Sequence, residues 1–314
     1  MNAARELDYV PNAFARGLIT GRSGFVALVV PDITDPFFAR LAQSLDQALR
    51  LAGMILIVCH TGEQRSEEEN LTKLLEERQI DGMIWGSEAS AGSAPSPLAE
   101  SHIPKVMIER LPENSSADAI LLDKRGTDDI AEYLHGLGHQ RIAMVTGHPH
   151  TYGGRELYRA FQASLVRYGL DLAEPYVVSG DFTFEGARAA AAHLMSLDPV
   201  PTAVLVGSDR MTHGFMIGLV QLGVRVPEDL SVVAFTTPLV DTLVHPLITS
   251  CQSDYQLIGQ EAARLLLERI QQPELANRTV WVPTDLMIRG SCRPITRLAG
   301  AAPLLRAPEE VITA

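Results

Sequence analysis

Phe25-Val26-Ala27-Leu28-Val29-Val30, followed by Pro31-Asp32-Ile33-Thr34-Asp35-Pro36-Phe37-Phe38, reads as a short strand running through a turn into a helix. Its six apolar residues show no alternation, as in a strand covered on both faces. The same unit recurs outward from it. Further strands are expected at 54–59, 82–85, 105–108 and 119–122, with helices at 37–52, 65–79 and a short one near 97–102. In the second of these, acids in the first turn (Glu67, Glu68) suit the helix macrodipole, and leucines follow at helical spacing. A second series follows: helix 126–137, strand 142–146, helix 155–168, strand 176–178, helix 185–196, strand 203–206, helix 210–222 and strand 231–235. Short apolar strands alternating with helices mean parallel sheets. Two such series imply two similar lobes, with ligands held at the carboxyl ends of the strands in the cleft between them.

The 314 residues suffice for two domains, and 46% apolar with 20% charged residues is a globular composition. A net charge of −12 repels nucleic acid and anionic membranes, so any DNA contact is confined to a small basic element. Residues 1–24 offer Arg5, Arg16 and Arg22 against Glu6 and Asp8. Three distant cysteines, Cys59, Cys251 and Cys292, give neither a disulfide framework nor a zinc pattern. Cys59 and Cys251 lie in apolar runs and are expected as buried thiols in a reducing compartment. The N-terminus lacks the basic-then-apolar pattern of a signal peptide, and no apolar run approaches membrane-spanning length. No phosphate-binding glycine loop, GxSxG elbow or HExxH pair is present, so neither enzyme activity, a metal nor a cofactor is expected. His148 and His150, near Tyr152, follow a strand and read either as cleft lining or as a solvated loop. His139 reads as part of a helix-to-strand turn. Ser87–Pro97 is Ser/Ala/Gly/Pro-rich and reads as a surface loop.

Ahead of the first strand stands Glu6-Leu7-Asp8-Tyr9-Val10-Pro11-Asn12, then Ala15-Arg16-Gly17-Leu18 and Gly21-Arg22-Ser23. Later come Asp35-Pro36-Phe37-Phe38, Ile80-Asp81-Gly82-Met83-Ile84, Leu137-Gly138-His139-Gln140-Arg141-Ile142-Ala143 and Ser208-Asp209. The series ends with Gly223-Val224-Arg225-Val226-Pro227-Glu228-Asp229-Leu230 and Leu286-Met287-Ile288-Arg289-Gly290-Ser291. In this order the blocks resemble the lactose-repressor (LacI) family of bacterial transcription regulators. The resemblance implies an α/β fold: a periplasmic-binding-protein-like core of two doubly wound parallel-sheet lobes, preceded by a remnant headpiece helix and a hinge helix. The implied division is 1–23 for that remnant, 24–124 plus 253–282 for the N-terminal lobe, 125–252 plus 283–292 for the C-terminal lobe, and 293–314 as a poorly ordered tail.

What the resemblance implies for function is a cytoplasmic, ligand-responsive regulator, expected as a repressor. Its core binds a small sugar-like or sugar-acid effector and forms a homodimer, with a tetramer left open. Operator DNA is a partner where the headpiece is present in the full gene product. The alternative is a cytosolic small-molecule-binding protein without DNA binding. Met1 falls where the family's last headpiece helix has valine, so a gene beginning upstream is expected, with Met1 an internal valine codon used as the start.

In the hinge, Asn12 suits the N-cap of a helix over 13–20, which is too short to stand alone. The resemblance assigns DNA contact to Asn12, Ala15, Arg16 and Leu18, with Leu18 as a minor-groove wedge. In the free protein the same stretch reads as a disordered arm. For the effector, Phe37 is expected to face the cleft and Phe38 to pack inward. Phe182 is expected to offer a flat face to a ring, against a reading in which it packs in the core. Asp209 opens a helix, as an N-cap or as a ligand contact.

Arg125 and Arg155 open helices, where a cation is unfavourable unless an anionic or hydroxyl-rich partner is near; the alternative is solvent exposure. Two departures from the family pattern bear on the ligand. Thr236 and Thr237 replace the acids that commonly follow Phe235, and Thr236 is counted as an effector contact. Leu157 stands where the family's effector arginine is usual. Together they favour an acidic sugar or small anion over a neutral sugar held in the usual way.

Overall fold

The computed structural model describes residues 22–62, 64–86, 97–110, 117–235 and 245–295. The first elements are β1 (Phe25–Val30), α1 (Pro36–Leu51), β2 (Ile55–His60), α2 (Arg65–Glu77), β3 (Gly82–Trp85), α3 (Pro97–Glu100), β4 (Lys105–Ile108) and β5 (Asp118–Leu122). Then come α4 (Gly126–Gly136), β6 (Ile142–Thr146), α5 (Tyr152–Arg167), β7 (Val177–Ser179), α6 (Phe184–Met195), β8 (Ala203–Val206), α7 (Asp209–Gln221) and β9 (Ser231–Phe235). The chain closes with β10 (Thr249–Ser253), α8 (Tyr255–Gln271), β11 (Thr279–Val282) and β12 (Thr284–Met287).

Two six-stranded sheets result, ordered β11-β5-β4-β3-β1-β2 and β12-β10-β9-β8-β6-β7. All pairings are parallel except β10 with β12. In the first sheet β1 lies between β2 and β3, and in the second β6 lies between β7 and β8. Each is a point where strand order reverses, and such points open a crevice at the strands' carboxyl ends. The chain passes between the sheets three times: after β5, between β10 and α8, and between β11 and β12 across Pro283.

β1 is buried as its sequence implies, and α1 covers it with Leu41, Leu45 and Leu49, one helical turn apart. Asp35 caps α1 by accepting from Phe37 N at 2.9 Å, and Pro36 fills the first turn, where no amide is needed. β2 differs from expectation. As an edge strand it leaves Ile55, Ile57 and Val58 well exposed, and Cys59 is only half-buried. Cys251 is buried, as expected. α5 also begins earlier than the periodicity suggests, because Thr151 accepts from Gly154 N at 3.2 Å and caps the helix at Tyr152. Arg155 therefore sits inside the first turn.

Beyond 235, β10, α8, β11 and β12 are additions to the sequence reading. Arg293 N donates to Ser231 Oγ at 3.1 Å and Ile295 N to Leu137 O at 2.8 Å, fixing the start of the segment read as a tail. The rest of that tail, the loop at 87–96, Thr236 and the hinge residues Asn12, Ala15, Arg16 and Leu18 lie outside the described residues. Among the described residues no helix is long and apolar enough to cross a membrane.

His139 holds the turn into β6. Its backbone amide donates to Leu134 O at 3.1 Å, and Nδ1 lies 3.0 Å from Thr202 Oγ1. The side chain is buried, and burial holds its pKa down to about 4. The ring is thus neutral in the fold, while the unfolded chain takes up a proton below roughly pH 6.5. This penalty is absent above pH 6.5 and grows as pH falls towards 4, reaching on the order of 3 kcal/mol. Asp35 and Asp129, raised by burial, offset part of it near the acid end. Urea unfolding is expected to show stability falling between pH 6.5 and 4.5, with the slope reduced in His139→Gln. An unchanged slope in that variant contradicts the assignment.

Candidate functional site

The carboxyl ends of eight strands meet at one cavity of about 360 Å³ between the sheets, within the range of small-molecule sites. From the first sheet come Asp32, Asp35, Phe37 and Phe38 after β1, Gly86 after β3, Glu109 after β4, and Lys124 after β5. From the second come His148 and His150 after β6, Asp181 and Phe182 after β7, Ser208, Asp209 and Arg210 after β8, and Phe235 at the end of β9.

Aromatic rings form the apolar surfaces. Phe37 meets Phe38 edge-on at 5.0 Å between centroids and Tyr255 at 5.7 Å. Phe38 lies against Gly86, where an added Cβ would fall 2.5 Å from the ring. Phe182 lies against Gly147, where a Cβ would fall 2.0 Å from its ring. In each sheet a glycine at a strand end lets an aromatic ring settle onto bare backbone. Gly147→Val is accordingly expected to lift Phe182 from the floor and weaken ligand binding at least tenfold, the scale on which cores and pockets resist overpacking. Calorimetric titration reads this, and unaltered affinity would mean the ring position is unimportant.

Backbone strain concentrates here. Among the described residues four non-glycine positions have positive φ, and three line the cavity: Glu109 (53°), Asp181 (53°) and Phe182 (56°). A bulky residue such as phenylalanine is held there at a cost of order 1–3 kcal/mol, a pattern that clusters at ligand sites.

The electrostatics are acidic. Five carboxylates line the cavity, Asp32, Asp35, Glu109, Asp181 and Asp209, against the cations Lys124 and Arg210. Both cations are already paired: Lys124 Nζ donates to Glu109, and Arg210 Nη1 donates to Asp32 Oδ2 at 2.5 Å. Glu109 also accepts from Leu122 N. Burial raises Asp32, but hydrogen bonds from Thr34 and Arg210 outweigh it and leave the carboxyl below its ordinary value. For Asp35 burial prevails over the Phe37 amide and Arg210, and its pKa is raised. Tyr255 donates to Asp209 Oδ2 at 3.1 Å, and burial together with that carboxylate holds its phenol well above the ordinary value. Among the described residues no cluster of His, Cys, Asp and Glu could hold a metal ion.

The cavity brings together three of the residues expected from sequence, Phe37, Phe182 and Asp209. Phe38, expected to pack inward, lines it as well. Asp209 is nearly fully buried, and Ser208, not Asp209, caps α7 by accepting from Met211 N. His148 and His150 also line it. Arg125 and Arg155 do not. Arg125 is 85% exposed and pairs with Asp123, its Nε donating at 2.6 Å; it lines an adjoining cavity of about 400 Å³ that shares Leu122 and Lys124 with the first. Arg155 is exposed and its Nη1 donates to His150 O at 2.8 Å. Both arginines are held by these local partners and stand outside the lining of the first cavity. Asp32, Asp35, Glu109, Lys124 and Arg210 were missed as site residues. The available signal was position, since each follows a strand's carboxyl end or opens the next helix.

The chain is similar to several known proteins. A family model described as a periplasmic binding protein-like domain matches residues 131–292. The HTH-type transcriptional repressor CytR of Escherichia coli strain K12 is 30% identical over 295 residues, which cover 93% of this chain and 86% of that protein. The HTH-type transcriptional repressor PurR of Vibrio cholerae serotype O1 is 28% identical over 299 residues, covering 95% and 89%. Among solved structures, the transcriptional regulator CelR–cellobiose complex aligns with a TM-score of 0.77 at 30% identity, over 92% of this chain and 88% of that one.

Proposed function

Because the chain belongs to the LacI family of transcriptional regulators, we propose that it is a repressor whose interlobe cleft takes a small, neutral, hydroxyl-rich ring as effector. The family supports ligand-responsive regulation, and the relatives are named as regulators rather than enzymes. The observation that carries the effector class is the cleft's composition: aromatic faces from both lobes, and carboxylates in excess of cations already paired. Ring faces stack on Phe37 and Phe182. Carboxylates such as Asp35 accept from ligand hydroxyls, whereas an anion entering here meets like charge. Cellobiose, in the name of one structural relative, is a molecule of this kind.

Regulation in this reading is reciprocal coupling: a ligand that prefers one lobe arrangement changes DNA affinity by the same factor that DNA changes ligand affinity. The hinge residues Asn12, Ala15, Arg16 and Leu18 are assigned the minor-groove contact, and Thr236 a place beside the ligand. The β2 edge, with Ile55, Ile57 and Val58 exposed, is assigned to a homodimer, since an uncovered apolar edge strand otherwise invites aggregation. A cytoplasmic location follows from the DNA partner.

Footprinting on DNA flanking the gene, with any in-frame upstream coding sequence restored, tests the reading. A protected two-fold-symmetric site whose occupancy changes with a cleft ligand is expected. No protection under any ligand condition, alongside intact ligand binding, would leave a small-molecule-binding protein and sink the regulator.

A further inference from the structure

The first turn of α7 touches the other lobe twice, through adjacent residues. Arg210 Nη1 donates to Asp32 Oδ2 at 2.5 Å, and Asp209 Oδ2 accepts from the Tyr255 phenol at 3.1 Å. Asp32 lies in the turn after β1, and Tyr255 opens α8, which packs on α1. Among the described residues Asp32–Arg210 is the one ion pair that joins the two sheets' lobes across the cleft.

Both ends of the pair are rigidly mounted. Thr34 donates to Asp32 Oδ1 through its amide at 2.8 Å and its hydroxyl at 2.7 Å, which leaves Oδ2 turned to Arg210. On the other side α7 is fixed in its lobe by the fully buried Met211, Phe215 and Leu219. The side chains of Arg210 and Asp32 are 27% and 32% exposed, so the pair is only partly screened by solvent. Tyr255 is itself braced by the Phe37 ring and by Arg40, whose guanidinium carbon stands 5.5 Å from the Tyr255 centroid.

We propose that Asp32 and Arg210, with Thr34 orienting the carboxylate, form an interlobe latch that sets how far the lobes stand apart before any ligand enters. Opening the cleft breaks a preoriented ion pair and a tyrosine hydrogen bond at once, so the ligand-free chain is biased towards the closed arrangement. The latch sits in the cavity wall, where a ligand touching either partner alters it directly. Its meaning for regulation rests on the cleft being the effector site; the latch itself does not.

The test uses the full chain without ligand. Spin labels at Gln47→Cys on α1 and Ala189→Cys on α6, both exposed positions, in a Cys59→Ser/Cys292→Ser background that leaves only the buried Cys251, and diluted with unlabelled chain, report the lobe separation by pulsed electron resonance. In the wild type one dominant short distance is expected. Arg210→Gln and Asp32→Asn are each expected to shift the closed-to-open ratio by about fivefold, the scale of a half-buried pair. Arg210→Lys, which keeps the charge, is expected to retain most of the short distance. Unchanged distances in both Arg210→Gln and Asp32→Asn overturn the latch. So does an Arg210→Lys variant no better than Arg210→Gln, which marks a merely local packing role. Failure to find any effector would leave these distances intact, so the two readings fail separately.

Discussion

Replacing Asp118 with alanine is expected to destabilise the protein by about 3–5 kcal/mol, the cost of stranding a buried charge partner. Asp118 opens β5 and is fully buried. It accepts from Arg269 Nη2 and Arg278 Nη2, each at 3.0 Å, and from the Arg278 amide at 2.8 Å. Burial alone would raise its pKa, but the two guanidinium groups prevail and hold it below its ordinary value. The carboxylate's contribution is therefore present above about pH 4 and lost only as pH falls below it.

Arg269 also donates to Pro273 O at 3.0 Å and Ala276 O at 3.2 Å, and so organises the loop that leads α8 into β11. Alanine at 118 would leave Arg269, whose side chain is 8% exposed, without its counter-charge. Because β11 is the last strand before the chain passes to β12, the damage should be felt where the lobes connect. A urea midpoint lowered at unchanged slope checks this. A loss below about 1 kcal/mol, the range of surface pairs, would contradict it.

The second large effect is at the ligand. Phe182→Ala is expected to weaken the effector by about thirtyfold, roughly 2 kcal/mol, as when a central aromatic anchor is truncated. The ring is held in a left-handed backbone, pressed onto Gly147 and packed on one side against the core of its lobe. Phe182→Tyr keeps the face and should keep most of the affinity. Titration calorimetry distinguishes the two. Equal losses in both variants would mean the pocket responds to any disturbance, and no loss in either would remove Phe182 from the site.

The fold was legible because its signal is local. β1, β3 to β6, β8 and β9 are buried and read as short apolar runs, with polar residues only at their ends. β10, with the sequence Thr-Ser-Cys-Gln-Ser, carries no such run, yet it is mostly buried because its neighbours cover it. β2 is apolar but exposed, since composition does not say which strand lies at an edge.

The site was legible in part. Phe37, Phe182 and Asp209 follow strand ends, and position alone places them in the cleft. Arg125 and Arg155 stand outside the lining of this cavity, for a definite reason. A cation at a helix start suggests an anionic partner, but for Arg125 that partner is Asp123, two residues away, and for Arg155 a backbone carbonyl of the preceding turn. The pairings that neutralise the cleft's cations, Asp32 with Arg210 and Glu109 with Lys124, join residues 178 and 15 apart in sequence. Only the folded chain displays them.

Selection of a neutral hydroxyl-rich ring over an anion is what we propose for this cleft. Calorimetric titration of the chain with a matched panel of neutral sugars, the corresponding sugar acids and sugar phosphates tests it most directly. The predicted result is saturable binding of a neutral member, one per chain, with its acidic and phosphorylated counterparts at least tenfold weaker. Tighter binding of an acid or phosphate, undiminished in Phe182→Ala, would contradict the account.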